Sequence, residues 1–332
     1  MNSPKVSIIL PTYNVEKFLR QCLDSIASQT YKNIEVIIII DGATDNSYKI
    51  AQQFCENDTR FSVYWQENTG SGLARNCGID KATGEFIMFV DPDDWCLPEY
   101  VESILKLQQD GDYDIVTTSE TTIYFSRNGR VKRTFPPHFE EASYKGSLQL
   151  HDKYLSLFLK GYIHAPHCKI YKSHIIKHNN IRFPDLRRSQ DIVFNYRYYD
   201  HAQSVLISNY SGYIYRVFSK ERAKRLKPDY YQTIGLIYND IKALHEKWGV
   251  NFDKQIASTF LFGSVYTSFE SNTMRGEPIQ YIVEDKTIKE IIENARPSKK
   301  HLIIVRNLVL NGNFRLAVLF VKIVFYVKLI VQ

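Results

Sequence analysis

Three aspartates within four residues, Asp91, Asp93 and Asp94 around Pro92, are the strongest local signal for chemistry in this sequence. Carboxylates this close repel one another and cost stability unless a cation neutralises them. Mg²⁺ and Mn²⁺ prefer oxygen ligands and often use one or two carboxylates together with substrate phosphates. The motif therefore predicts a divalent ion that neutralises a diphosphate leaving group. The alternative is a solvated acidic turn that caps the next helix.

Four other residues carry weaker signals, each with a plainer alternative. Asp41 follows an apolar run, where it either accepts a hydrogen bond from a nucleotide base or makes an ordinary turn. Tyr13 either stacks on that base or packs, in a chain with 23 tyrosines. Arg75 either approaches phosphates or pairs with a neighbouring acid.

The fourth residue is Asp191, in the first turn of a helix that Ser189 is predicted to cap. There the helix dipole favours the ionised carboxylate, which is the form that a general base needs. Without further context, a capping acid is the better interpretation of Asp191.

The elements that position these residues alternate between apolar runs and amphipathic segments. Residues 6–10, 34–40, 61–65 and 85–90 read as buried strands, and helical patterns lie between them. Such runs indicate a parallel sheet with both faces covered, in which ligands bind beyond the carboxyl ends of the strands. Several polar residues stand at those ends: Thr12, Tyr13, Asn14, Asp41, Asp91, Asp93 and Asp94.

The alternation breaks down after Val116. Residues 123–125 and 131–135 flank a Ser-Arg-Asn-Gly segment and predict a hairpin, and a mixed region follows. From Asp229 onward the pattern is helical. We therefore place a boundary near Lys227 and Pro228, because Pro228 precedes a long helical pattern.

Composition and charge limit the class of protein to which this sequence can belong. The 332 residues are 44% hydrophobic and 23% charged, which is typical of a globular protein. The net charge of +6 suits an anionic substrate or membrane surface, but no basic stripe or nucleic-acid motif accompanies it, so nucleic acid is not an expected partner. Five scattered cysteines and a start that enters a strand directly predict a cytoplasmic protein.

The last segment, residues 308–332, is strongly apolar and carries Arg315, Lys322 and Lys328. Lys322 near the middle argues against a spanning helix. A basic helix in the interface of an anionic membrane and a core helix of a helical region both remain open.

Together these features resemble the inverting family 2 glycosyltransferases. The matching stretches are VSIILPTYN (residues 6–14), SQTYKNIE (28–35), DGATDNS (41–47), ARNCG (74–78), GEF (84–86) through DPDD (91–94), KIY (169–171), QD (190–191) and YIYR (213–216). Ordered motifs at family-like spacing over residues 4–220 are far more specific than any one of them. The resemblance implies a GT-A type Rossmann-like mixed sheet flanked by helices.

The resemblance also implies roles for individual residues. Pro11 and Tyr13 would hold uracil, and Asp41 would bond to its edge. Asp91 would contact the ribose, and Asp93 would bind Mn²⁺ or Mg²⁺. Arg75 would belong to the donor site, and Asp191 would be the catalytic base. Two positions depart from the family pattern: Ile40 replaces the first of two strand-end aspartates, and Gln190 replaces the usual glutamate before Asp191.

The implied activity is transfer of a hexose or N-acetylhexosamine from a UDP-sugar to a hydroxyl of a saccharide acceptor. The acceptor would be lipid-linked or an oligosaccharide, in bacterial surface polysaccharide or lipooligosaccharide synthesis at the inner face of the plasma membrane. Residues 1–227 would form the catalytic domain, with a nucleotide-binding half to about residue 118 and an acceptor-binding half after it. Residues 228–332 would form a helical region.

Two other functions could also use these acidic residues. A metal-dependent nucleotidyltransferase would need a Gly-rich, basic phosphate loop after the first strand, and residues 11–14 offer neither feature. A non-catalytic nucleotide-sugar-binding module is disfavoured because the acidic motif and the candidate base are both present.

Overall fold

Alternating strands and helices fill the first part of the chain, as the apolar runs predict. The computed structural model describes residues 3–126, 128–218 and 229–331. The chain divides into two compact units, residues 1–219 and 220–332. The boundary predicted near Lys227 and Pro228 lies outside the described residues.

In the first unit, the segment up to residue 118 contains six strands and four helices. They are β1 Val6–Thr12, α1 Glu16–Ala27, β2 Ile34–Asp41, α2 Ser47–Asn57, β3 Phe61–Gln66, α3 Ser71–Lys81, β4 Phe86–Phe89, β5 Trp95–Cys96, α4 Tyr100–Gly111 and β6 Ile115–Thr118. Every residue of β1 is buried, and α1 buries Leu19, Cys22, Leu23 and Ile26 on one face. Both patterns match strands and helices that cover a shared core.

The rest of the first unit mixes short strands with helices. Its elements are β7 Thr121–Phe125, β8 Val131–Phe135, β9 Ala142–Lys145, α5 Ser147–Leu159, β10 Lys169–Lys172, α6 Ser173–His178, α7 Gln190–Tyr199, β11 Ser204–Ser208 and β12 Tyr213–Phe218. The predicted hairpin is confirmed: β7 and β8 pair antiparallel. Gly129, at φ 79°, donates its N–H to the Ser126 carbonyl in the turn, a backbone conformation that favours glycine.

The main sheet has eight strands in the order β3-β2-β1-β4-β10-β6-β11-β9. The strands β3, β2, β1 and β4 run parallel, whereas β10 is antiparallel to both β4 and β6. This is the predicted mixed sheet, and β1, β2 and β4 end at the same edge. A second sheet has the order β5-β12-β7-β8, and its β12 starts close to the acidic motif that follows β4.

The second unit is helical, as expected from Asp229 onward. Its helices are α8 Tyr230–Trp248, α9 Lys254–Arg275, α10 Gln280–Glu284, α11 Lys286–Asn294, α12 Lys300–Leu310 and α13 Phe314–Val331. The Asp253 and Asp285 side chains accept hydrogen bonds from backbone N–H groups in the first turns of α9 and α11. Among the described helices, none has the length and apolar character that crossing a membrane requires.

Candidate active site

The acidic motif forms a tight turn after β4, and its third aspartate is fully buried. The N–H of Asp94 donates to the carbonyl of Asp91 over 3.1 Å. One oxygen of the Asp94 carboxylate accepts from the Tyr213 hydroxyl at 2.7 Å, and the other accepts from the Arg216 N–H at 2.7 Å. Burial and the charges of Asp91 and Asp93 raise the pKa of Asp94. Asp94 therefore fastens the turn to β12.

Asp91 lies between two cations. Its Oδ1 accepts from Arg75 Nη2 at 2.7 Å, and its Oδ2 lies 3.3 Å from Nδ1 of His167. Burial raises the pKa of Asp91, but the charges of Arg75 and His167 outweigh burial and hold the pKa well below its usual range. Arg75 is itself buried and lies 5.4 Å over the Phe183 ring. Asp91 is thus a fixed, ionised carboxylate.

Asp93 differs from both neighbours. Among the described residues, no side-chain hydrogen bond reaches its carboxylate, although its carbonyl accepts from Arg216 Nε at 2.8 Å. Burial and the negative charge of Asp91 raise the pKa of Asp93. A part-buried carboxylate without a described side-chain donor, beside another carboxylate, fits an oxygen-preferring divalent cation. Asp93 is therefore better suited than Asp94 to bind a divalent metal ion.

A second group of potential ligands lies on the other side of Asp91. Ligand atoms of Glu120, His167 and Cys168 lie within 4.8 Å of one another. A thiolate and an imidazole suit a softer ion than Mg²⁺ or Mn²⁺. Nε2 of His167 lies 2.9 Å from Glu120, and Nδ1 faces Asp91, so each ring nitrogen already has a carboxylate partner. This arrangement is that of a buried imidazolium between two acids.

Asp41 ends β2 and is almost fully buried, at 2% exposure. Its Oδ1 accepts from Gln66 Nε2 and from the Thr69 N–H, each at 2.8 Å, and its Oδ2 accepts from the Gly70 N–H at 2.8 Å. A carboxylate offers about four lone-pair sites. The Thr69 hydroxyl also donates to Oδ1, at 3.2 Å, so Oδ2 is the less occupied oxygen, with the Gly70 N–H as its one described donor. Asp41 thus organises the loop before α3.

Tyr13 lies just beyond the end of β1 and is half exposed, whereas Pro11 is buried within the strand. The next residue, Asn14, adopts a left-handed conformation with φ 49°, and its Oδ1 accepts from the Thr44 N–H at 2.8 Å. This bond ties the loop after β1 to the loop after Asp41. An accessible aromatic ring therefore lies on a fixed loop, as stacking on a base requires.

The candidate base, Asp191, lies in the first turn of α7. Ser189 occupies the N-cap position of α7, as predicted. The prediction that its side chain caps the helix is wrong, because φ is 58° and the side chain makes no capping bond. The helix dipole was expected to keep Asp191 ionised, but burial has the larger effect on its pKa. Burial raises the pKa of Asp191, with the charge of Arg75 opposing it. A raised pKa makes Asp191 a stronger base than an exposed aspartate.

The start of α7 is held against the start of α3. Gln190 Nε2 donates to Ser71 Oγ at 3.0 Å, and Asn195 Nδ2 donates to the carbonyl of Asp191 at 3.0 Å. The bond from Gln190 joins α7 to α3, and the bond from Asn195 lies within α7. Asp191 is close enough to Arg75 and Asp91 for their charges to affect its pKa. The structure thus places the predicted base near Asp91 and Arg75 of the predicted donor site.

Sequence reasoning missed three positively charged residues of this region. The pKa of His167 is lowered by burial but raised further by Asp91 and Glu120, to about 10. Burial lowers the pKa of Lys169 to about 8, and its Nζ donates to the Ala165 carbonyl at 2.7 Å. Arg216 lies over the rings of Phe18, Trp95 and Phe125 at 4.6–5.3 Å. Lys169 and Arg216 lie in stretches that carried the resemblance, but His167 had no local signal.

The chain is similar in sequence to known glycosyltransferases. The model of the family "Glycosyl transferase family 2" matches residues 7–179, slightly more than half of the chain. GlyA, a glycosyltransferase of Streptococcus pneumoniae, is 35% identical over 64% of this chain, which spans 30% of GlyA. EpsH of Bacillus subtilis, also named as a glycosyltransferase, is 31% identical over 70% of this chain and 67% of EpsH.

Solved structures share the fold at low sequence identity. S. aureus TarS residues 1–349 in complex with UDP-GlcNAc is similar over 96% of this chain and 90% of that chain, with TM-score 0.68 and 20% identity. The chain spans half the length of a longer TarS structure. A mannosyltransferase from Pyrobaculum calidifontis in complex with GDP-Man and Mn²⁺ is similar over 97% of this chain, with TM-score 0.52 and 13% identity.

Proposed function

Because the chain belongs to glycosyl transferase family 2, we propose that it transfers a hexose or N-acetylhexosamine from a UDP-sugar to a saccharide hydroxyl with inversion. The observation that carries this proposal is the placement of Asp191, a base with a raised pKa, beside the fixed pair of Asp91 and Arg75. The acceptor is a lipid-linked or oligosaccharide intermediate of bacterial surface polysaccharide or lipooligosaccharide synthesis.

On the donor side, Tyr13 stacks on uracil, and Oδ2 of Asp41, the less occupied oxygen, accepts from the edge of the base. Pro11, in β1, supports the loop that carries Tyr13. Asp91 accepts a hydrogen bond from a ribose hydroxyl. Asp93 would hold a Mn²⁺ or Mg²⁺ ion, which supplies positive charge to the departing diphosphate when bound. A UDP-GlcNAc complex of the structurally similar TarS supports uridine as the base.

On the acceptor side, Asp191 takes the proton of the attacking hydroxyl. The acceptor oxygen forms a bond to the anomeric carbon as the bond from that carbon to the UDP oxygen breaks. Attack from the face opposite the leaving group inverts the configuration. Arg75 lies close enough to Asp191 for its charge to favour the ionised form, which is the form that accepts the proton of the acceptor hydroxyl.

The reaction is tested without knowledge of the acceptor by slow hydrolysis of the donor. Purified protein with Mn²⁺ and a panel of α-linked UDP-sugars should release UDP from one or a few of them, and GDP-mannose should not be cleaved. Because water replaces the acceptor on the same face, proton NMR should show the β anomer of the sugar first. Initial release of the α anomer would refute inversion, and cleavage of GDP-mannose alone would refute the uridine donor.

We also propose that the helical second unit binds the inner face of the plasma membrane. Residues 299–331 contain six Lys and Arg side chains and no Asp or Glu. On α13, Leu316, Leu319 and Ile323 are more than half exposed, at the three- and four-residue spacing of one helix face. They line a groove of about 260 Å³ together with Leu308 and Phe320. An apolar face with adjoining cations suits the interface of an anionic bilayer.

Replacing Leu316, Leu319 and Ile323 by serine should reduce vesicle binding at least about tenfold, because the buried apolar area would be lost. Co-sedimentation with vesicles containing phosphatidylglycerol measures the bound fraction of the intact chain. The matched control replaces Leu236 and Ile256, exposed apolar residues of α8 and α9, by serine and should bind like wild type. Equal binding to neutral phosphatidylcholine vesicles would reject the role of the cations, and an equal loss in the control would reject the membrane face.

A further inference from the structure

His167 precedes β10, the strand that inserts antiparallel between β4 and β6. Its ring is 8% exposed and stacks on Tyr213, with centroids 5.0 Å apart and planes at 6°. The Tyr215 ring lies 5.6 Å away at 20°. The imidazole is therefore fixed in plane and position by two tyrosines of β12.

The two ring nitrogens of His167 connect two acids that are distant in sequence. Nε2 lies 2.9 Å from Glu120, and Nδ1 lies 3.3 Å from Oδ2 of Asp91. Arg75 contacts the other oxygen of Asp91 at 2.7 Å. The result is a row of alternating charge, Glu120, His167, Asp91 and Arg75, in which each inner residue has a partner on both sides.

These contacts determine which lone pairs of the Asp91 carboxylate remain available to a ligand. Of the roughly four lone-pair sites of a carboxylate, one faces Arg75 and one faces His167. The Asp91 side chain is still 25% exposed, so part of the carboxylate remains accessible to a ligand. Arg75 holds Oδ1 through a charge-assisted hydrogen bond, a kind of bond about twice as strong as a neutral one, and the imidazole faces Oδ2 at ion-pair distance.

We propose that His167 is a positioning residue, which together with Glu120 orients the Asp91 carboxylate to accept a hydrogen bond from a ribose hydroxyl of the donor nucleotide. The inference rests on the proposed function, since it takes the contact between Asp91 and the ribose as its premise. His167 acts through Asp91 and touches no substrate. The ligand class is a uridine nucleotide with both ribose hydroxyls.

Calorimetry with UDP, 2′-deoxy-UDP and 3′-deoxy-UDP in Mg²⁺ tests this role. Wild type should bind UDP about tenfold more tightly than one of the two deoxy forms, because a hydrogen bond to a charged group is lost. His167→Gln should bind UDP about tenfold more weakly than wild type and bind that deoxy form unchanged. Asp91→Asn should show the same loss of preference. His151→Gln, a buried histidine of α5, should keep it.

His167→Gln leaves Asp91 and Glu120 without the cation between them, so the variant is also made with Glu120→Gln. The double variant removes that repulsion and should melt near the wild-type temperature while still lacking the preference for UDP. Equal weakening of all three nucleotides would show a general structural role and overturn the inference. Retained preference in both variants would overturn it as well. A wild type that binds no uridine nucleotide would instead refute the proposed donor.

Discussion

Asp191→Asn should lower the rate of sugar transfer at least about a hundredfold while donor binding stays unchanged. Loss of a general base typically costs about 10²–10⁴-fold in rate. Asparagine keeps the size of the side chain and can still accept the hydrogen bond from the Ile192 N–H, but it cannot take the acceptor proton. Steady-state UDP release with acceptor, together with calorimetry of UDP binding, separates the two effects.

The pH dependence gives an independent readout of the same residue. Burial raises the pKa of Asp191, and transfer needs its ionised form. The rate should therefore fall as the pH falls through this raised pKa, which places the acidic limb at higher pH than for an exposed aspartate. The limb should disappear from the residual activity of Asp191→Asn.

The same shift predicts the effect on stability. A carboxyl group whose pKa is higher in the folded than in the unfolded state binds more protons when folded, so the free energy of unfolding falls as the pH rises through that range. At neutral pH, Asp191→Asn should therefore be at least as stable as wild type. A lower melting temperature would show that Asp191 is structural.

Asp185→Asn serves as the matched control, because Asp185 is an exposed carboxylate in the loop that leads to α7. It should keep wild-type transfer and the wild-type acidic limb. If Asp191→Asn transfers sugar at nearly the wild-type rate, another carboxylate is the base. If it also loses UDP binding, Asp191 belongs to the donor site.

The parts of the site that could be predicted from the sequence are those set by local pattern. Continuous apolar runs identified β1, β2 and β4, and parallel strands end at one sheet edge. That rule placed Tyr13, Asp41 and Asp91 together before any contact was known. A different local pattern, a possible N-cap at Ser189, placed Asp191 in the first turn of a helix, and α7 does begin at Gln190 although the Ser189 side chain does not cap it.

The charge states of the site residues could not be read in this way, because they depend on contacts between distant segments. Asp191 was expected to be ionised by a helix dipole, yet burial near α3 dominates its pKa. By residue type Asp94 is equivalent to Asp93, but among the described residues β12, more than a hundred residues later, donates to the carboxylate of Asp94 and not to that of Asp93. His167 gained its role only because β10 inserts beside β4.

Asp93→Ala should abolish the metal-dependent part of the transfer and leave the fold intact. A divalent ion at a leaving diphosphate contributes several kcal/mol to transition-state stabilisation, so the loss should be at least about a hundredfold. The fold should be spared because no described side chain donates to the Asp93 carboxylate, and removing an acid whose pKa is raised by burial relieves repulsion with Asp91.

Asp94→Asn is the informative contrast, because it changes the neighbouring carboxylate instead. The fully buried Asp94 carboxylate accepts from the Tyr213 hydroxyl and the Arg216 N–H, so this variant should lower the melting temperature by weakening the link between the turn and β12. Calorimetric titration of Mn²⁺ in the presence of UDP should show binding to Asp94→Asn but none to Asp93→Ala. Full transfer in EDTA, or Mn²⁺ binding that survives Asp93→Ala, would place the ion elsewhere, with Glu120, His167 and Cys168 as the next ligands to replace.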